Sequence, residues 1–155
     1  MMEVVRIWLD NQFRNFNYLV GCPKQKVAIA IDPLDIDKCM TEAKKRNWRI
    51  IKIVCTHEHL DHVGGVKALA KQTGAPIAAY KDAIGTIAGI TQELVEGDTI
   101  AVGESGALEV LEIPGHTMLH IGLHDRVQAM LFCGDTIFVG GVGNCQYGGS
   151  ISCLY

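Results

Sequence analysis

The chain has 155 residues, 48% of them hydrophobic and 20% charged, a balance that supports one packed domain and speaks against disorder. A net charge of −3 gives no reason to expect nucleic acid or an anionic membrane surface as a partner. Its apolar runs, such as Val27 to Ile31, fall far short of the roughly 20 residues of a membrane span. Glu3, Arg6 and Asp10 also interrupt any apolar leader, so a soluble, cytoplasmic protein is expected. The six cysteines form no C-x-x-C pair, and Cys55 and Cys133 sit in apolar strand-like runs. Reduced thiols are therefore expected rather than disulfides.

In chain order, Val4–Leu9, Asn17–Gly21 and Val27–Ile31 read as three strands punctuated by Pro23 and Asp32-Pro33. Ile36, Met40 and Ala43 share one face of a helix expected over Ile36–Trp48. Ile50–Cys55 is a short continuous apolar run, the pattern of a buried strand. It breaks off at Thr56-His57-Glu58-His59-Leu60-Asp61-His62, after which a second helix is expected over Val63–Gln72 and a strand over Pro76–Tyr80. From Gly97 onward strands dominate: Ile100–Val102, Leu108–Ile113, His120–His124, Ala129–Cys133 and Thr136–Val139. The glycine-rich stretch 140–149 suits a loop close to a ligand. This order predicts a layered α/β domain.

All six histidines fall between positions 57 and 124, and three of them lie at 57, 59 and 62 with Asp61 among them. Imidazole and carboxylate are ligands that zinc, iron and manganese accept. On a loop leaving a buried strand, His57 and His59 point to one side and Asp61 and His62 to the other, which supplies ligands for two metals. The alternative is a polar surface loop that happens to be rich in histidine. Pro114-Gly115-His116-Thr117 and Gly134-Asp135-Thr136 each add one ligand-type side chain at a strand end. Alone, either would be a turn histidine or a capping aspartate. Beside the 57–62 cluster they become candidate ligands.

Thr-His-x-His-x-Asp-His-x-Gly-Gly over residues 56–65, Pro-Gly-His-Thr at 114–117 and Cys-Gly-Asp-Thr-Ile-Phe at 133–138 resemble the metallo-β-lactamase superfamily. Within it the chain is most similar to glyoxalase II, the hydroxyacylglutathione hydrolases. The resemblance implies an α/β fold, the αββα sandwich of that superfamily, with residues 1–155 forming its metal-binding catalytic domain. It implies that His57, His59 and His116 hold a first metal and Asp61 and His62 a second, with Asp135 bridging, zinc being expected and iron or manganese possible. A bridging hydroxide would then attack a glutathione thioester, with Asp61 orienting it and Asn144 and Tyr147 lining the substrate pocket.

Three departures from the glyoxalase II pattern stand out. No histidine follows His124, so one ligand of the second metal is missing. The helical region that contributes to the glutathione pocket is also missing, as for a sandwich incomplete at its C-terminus. Gly141-Val142-Gly143-Asn144 lacks the Lys or Arg of the related motif. Two alternatives stay open: a mononuclear-iron persulfide dioxygenase using His57, His116 and Asp135, and an inactive, truncated metal-binding domain. His120 is expected to be structural and His124 solvated in a turn.

Overall fold

The computed structural model describes residues 1–154. Strands β1 (Glu3–Trp8), β2 (Phe16–Cys22) and β3 (Val27–Ile31) form an antiparallel meander. The apolar run of β3 then pairs in parallel with β4 (Arg49–Val54), β4 with β5 (Ile77–Tyr80) and β5 with β6 (Ile90–Leu94). The resulting six-stranded sheet runs β1-β2-β3-β4-β5-β6. Its central strands are covered on both faces, which is why they read as unbroken hydrophobic runs. β6 carries no such signature in the sequence, because its middle residues, Thr91, Gln92 and Glu93, are all exposed at the sheet edge.

Helix α1 (Ile36–Lys45) starts at Asp35, whose side chain accepts the Lys38 N–H at 3.0 Å. Lys44 and Lys45 complement its carboxyl end. It stops three residues short of the expected Trp48, because Asn47 adopts φ +56° and Trp48 N–H turns back to the Ala43 carbonyl. The single helix expected over Val63–Gln72 is two: α2 (Leu60–Val63) and α3 (Val66–Thr73). Gly64-Gly65 separates them. Consecutive glycines propagate a helix poorly, and a Cβ on Gly65 would collide with the Pro33 and Leu34 carbonyls.

A second, antiparallel sheet is built from β7 (Thr99–Ala101), β8 (Ala107–Glu112), β9 (Ile121–Asp125) and β10 (Met130–Phe132), in the order β10-β9-β8-β7. The strand expected over Thr136–Val139 shrinks to β11 (Ile137–Phe138), paired with β12 (Gly141–Val142), and a short α4 comes after it (Ile151–Leu154). His124 lies on β9 rather than in a turn. It is Asp125 that caps the turn, accepting the Val127 and Gln128 N–H groups.

Two apolar clusters hold these layers together. One packs Cys39, Ala43, Val66 and Leu69 of the helices on Leu19, Ile53 and Ile77 of the first sheet. The other packs Val20, Ile29, Ile31 and Val54 of that sheet on Ile100, Leu108, Val110 and Leu123 of the second. The order of layers is helices, sheet, sheet. Among the described residues, no helix is long and apolar enough to cross a membrane.

This architecture places several strand ends together. Ile31 lies opposite Val54 in the parallel β3–β4 pair, so Asp32 and Thr56 leave the sheet side by side. β8 and β10 both run antiparallel to β9 and therefore point the same way, delivering residues 113–117 and 133–136 to one end. A hydrogen bond from Ile121 N–H to the Thr56 carbonyl (2.9 Å) ties the two sheets together there.

Candidate metal centre

Asp32, buried at the end of β3, organises the first motif. One carboxylate oxygen accepts the Thr56 N–H (2.7 Å); the other accepts the Thr56 hydroxyl (2.6 Å) and the His62 Nδ1–H (3.0 Å). With the hydroxyl proton committed to Asp32, Thr56 Oγ1 accepts from His57 Nδ1 at 3.1 Å. His57 Nε2 is thereby left as a lone pair, buried and without a hydrogen-bond partner.

The same reasoning fixes two more rings. His116 Nδ1 stands 2.6 Å from the Asn144 carbonyl and His59 Nε2 stands 3.1 Å from the Tyr147 carbonyl. Carbonyls only accept, so both nitrogens carry the proton. In the neutral rings His116 Nε2 and His59 Nδ1 then face each other as lone pairs, 3.0 Å apart. One ligand nitrogen from each of His57, His59 and His116 falls within 4.8 Å of the others. Three lone pairs converging on one point repel one another, and a cation placed between them turns that repulsion into coordination.

Carboxylates flank this trio. Asp135 Oδ1 lies 3.2 Å from His62 Nε2, and its Oδ2 lies 3.7 Å from His116 Nε2. Asp61 Oδ2 is 3.7 Å from His62 Nε2. Burial opposes ionisation of Asp135, yet the hydrogen bond from His62 and the surrounding imidazoles hold its pKa below the ordinary value. Burial likewise opposes a charge on His62, but its bonds to Asp135 and Asp32 dominate and push its pKa up to about 10. His57 moves the other way: burial, then the neighbouring imidazoles, drive its pKa far down.

All six residues expected as ligands, His57, His59, Asp61, His62, His116 and Asp135, thus meet at one end of the strands. Asn144 and Tyr147 arrive as well, but by a route the sequence does not show. They present backbone carbonyls to His116 and His59, while the Asn144 side chain accepts the Gln146 N–H. The exposed Tyr147 ring stands edge-on to His59 at 6.4 Å. His120 is buried and stacked on His57, and its Nε2 accepts the Asp135 N–H (3.2 Å). Burial brings its pKa down to about 4, so it is neutral. His124 lies away from the cluster beside Glu109, at 3.9 Å.

Two contributors carry no signal in the sequence. Asn15, in the β1–β2 loop, donates its amide to the Asp61 carbonyl (3.1 Å) and carboxylate (3.0 Å) and contacts His62 Nε2 (3.3 Å). Gly134 adopts φ +47°, and a Cβ there would stand 2.6 Å from Thr56 Oγ1 and 2.7 Å from His120 Nε2. Only glycine lets the Asp135 turn approach the first motif so closely.

The sequence profile of the metallo-beta-lactamase superfamily matches residues 20–152. The chain belongs to this superfamily. A hydroxyacylglutathione hydrolase from Nitrosococcus oceani is 47% identical across 99% of this chain and 59% of its own length. The chain therefore spans about three fifths of that relative. Among solved structures, the BLEG-1 B3 metallo-beta-lactamase superposes with a TM-score of 0.87 at 21% identity, covering 98% of this chain and 81% of its own. TTHA1623, solved in a di-iron-bound form, gives 0.79 at 26% identity, covering 97% and 81%. The superfamily fold and the histidine–aspartate cluster together imply a divalent metal.

Proposed function

We propose that residues 1–155 form the metal-binding catalytic domain of a hydrolase of glutathione thioesters, of the hydroxyacylglutathione hydrolase kind, with zinc as its metal. The convergence of three imidazole nitrogens beside Asp135 carries this reading, since one cation satisfies all of them together. The substrate class is supported by the relative at 47% identity. His57, His59, His116 and Asp135 would hold the first ion, a four-ligand nitrogen and oxygen set that suits zinc. Asp61 and His62 would contribute to holding a second. A bound divalent cation supplies Lewis acidity and a water that ionises near neutral pH.

The chain's own groups do the rest. Asn15 holds one oxygen of the Asp61 carboxylate, which leaves the other free to accept a hydrogen bond from the attacking water and orient it. The exposed Tyr147 ring and the neighbouring Asn144 form the wall against which the thioester rests. A thiolate leaves without strong acid assistance, so no imidazolium is required of His62. Six unpaired cysteines are consistent with a reducing, cytoplasmic setting.

The test is a titration of Zn²⁺, Mn²⁺ or Fe²⁺ into metal-free protein, following bound metal by elemental analysis and hydrolysis of lactoylglutathione in parallel. Hydrolysis should rise with bound metal, and His57→Ala or Asp135→Ala should abolish both. Full hydrolysis by rigorously metal-free protein would overturn the proposal.

A further inference from the structure

Two of the three converging imidazoles owe their tautomer to main-chain carbonyls of one glycine-rich segment, Asn144 for His116 and Tyr147 for His59. The segment touches the rest of the molecule through a few backbone bonds: Gly143 N–H to the Thr136 carbonyl (3.3 Å), Met118 N–H to the Gly148 carbonyl (3.2 Å) and Ser150 N–H to the Gly115 carbonyl (2.8 Å). Its path depends on glycine at two places. A Cβ on Gly143 would collide with the Asp135 carbonyl and stand 2.8 Å from His116 Nδ1. A Cβ on Gly149 would collide with the carbonyls of Gly115 and His116. Gly141, by contrast, has open space around it and an ordinary negative φ.

We propose that residues 143–149 act as a tautomer clamp on the histidine site, so that metal binding and ordering of this segment are a single linked equilibrium. The inference rests on reading His57, His59 and His116 as metal ligands. His59 Nδ1 and His116 Nε2 stand 3.0 Å apart; with no cation between two neutral rings, their opposed lone pairs would drive the rings apart and the Asn144 and Tyr147 carbonyls would lose their donors. With a cation between them both rings are pinned and both carbonyls are satisfied. The segment that carries Tyr147, the proposed substrate wall, is then fixed in place. Linkage makes the effect reciprocal: whatever loosens the clamp weakens metal binding by the same factor. The glycines at 143 and 149 thereby become positioning residues for metal ligands some thirty positions earlier or more. The wall for the thioester forms around a loaded site and dissolves around an empty one.

The experiment combines three measurements on the full chain. Amide hydrogen exchange over 143–149 is followed with and without Zn²⁺, zinc affinity is measured by competition with a chromophoric chelator, and imidazole ¹⁵N spectra report the tautomers. Zinc should protect the segment, and zinc-loaded wild type should show protons on His116 Nδ1 and His59 Nε2. Gly143→Ala and Gly149→Ala should each lower zinc affinity about 10- to 100-fold, the usual effect of disturbing a hydrogen-bond partner of a metal ligand. Gly141→Ala should bind as wild type does. Zinc-loaded wild type with unchanged exchange over 143–149, or with the opposite His116 tautomer, overturns the clamp even if the glycine variants fail to fold. Wild type that takes up no zinc at all instead overturns the ligand assignment on which the clamp rests.

Discussion

Replacing Asp32 with asparagine exchanges one oxygen for an amino group, and the contacts around it dictate how the neighbouring protons rearrange. Thr56 N–H can only donate, so the surviving oxygen must face it, and the amino group takes the position 2.6 Å from Thr56 Oγ1 and 3.0 Å from His62 Nδ1. Both must now accept. The Thr56 hydroxyl turns its proton to His57 Nδ1 at 3.1 Å, and the His57 proton moves to Nε2, the atom aimed into the cluster. His62 Nδ1 becomes an acceptor too, so the ring's remaining proton is confined to Nε2 beside Asp135. One ligand atom in each half of the centre is thus blocked. The backbone is undisturbed, because asparagine tolerates the φ of +49° at this position. Disturbing one hydrogen-bond partner of a ligand lowers metal affinity about 10- to 100-fold. With one ring inverted at each ion, Asp32→Asn should weaken binding of each zinc about 10- to 100-fold. Loss of charge from three buried hydrogen bonds should also lower stability by roughly 1–3 kcal/mol. Competition titration with zinc and thermal unfolding of the metal-free protein measure the two effects. Zinc affinity within threefold of wild type, which is about 0.7 kcal/mol, would refute the tautomer assignment.

Gly134→Ala should destabilise the fold by roughly 1–3 kcal/mol through its left-handed φ alone, and the contact with Thr56 Oγ1 adds to that; unfolding in urea reads the loss. Asn15→Ala frees the Asp61 carboxylate, so it should lower retention of a second equivalent of metal after dialysis while leaving the first in place. Uniform loss of all metal would show that Asn15 supports the whole centre instead. In the metal-free chain, stability should peak near pH 6.5. His120 stays neutral in the fold down to about pH 4, so the unfolded chain alone takes up a proton as pH falls from 6.5, and on the order of 3 kcal/mol is lost. His62 stays charged in the fold up to about pH 10, so its contribution, complete below pH 6.5, is lost as pH rises toward that value. A melting temperature flat between pH 5 and 9 would show that these rings are not buried as described.

The ligand-type residues are legible because metal chemistry accepts few side chains and three histidines stand within six positions. What fixes their protons is not. Asp32 reads as a turn residue before Pro33 until the parallel pairing of β3 with β4 sets it beside Thr56. Asn15 lies 46 residues from Asp61, and no periodicity connects a hairpin loop to a motif so far away. Backbone donors and acceptors are invisible in a sequence, so the carbonyls that Asn144 and Tyr147 present to His116 and His59 leave no trace in it. Strands with one face in the core are legible nearly to their ends, whereas β6, exposed along its middle, is not. The break between α2 and α3 is hidden because helical periodicity carries across Gly64-Gly65, and the closeness of the Pro33 and Leu34 carbonyls that demands glycine at 65 appears only in the fold.

The centre also lies on the seam between the two sheets, and that position bears on stability as much as on chemistry. His57 and His59 come from the loop after β4 and Asp61 and His62 from α2 just beyond it, while His116 and Asp135 follow the ends of β8 and β10 in the other sheet. The contact between His59 and His116 spans 57 positions of sequence. A metal held by both groups cross-links the layers over a long loop, and a chain that binds it only when folded gains RT ln(1 + [L]/Kd). At a free metal concentration 100 times Kd that is about 2.7 kcal/mol, a sizeable share of the stability of a domain this size. Without metal the seam is held near the site by the Ile121–Thr56 bond, the Thr117–Glu58 bond (2.9 Å), the His62–Asp135 contact (3.2 Å) and the stacking of His57 on His120, with opposed imidazole lone pairs working against them. The sheet ends that form the centre are therefore the part of the molecule expected to open first when the metal leaves, ahead of the helix-covered core around Leu19, Ile53 and Leu69.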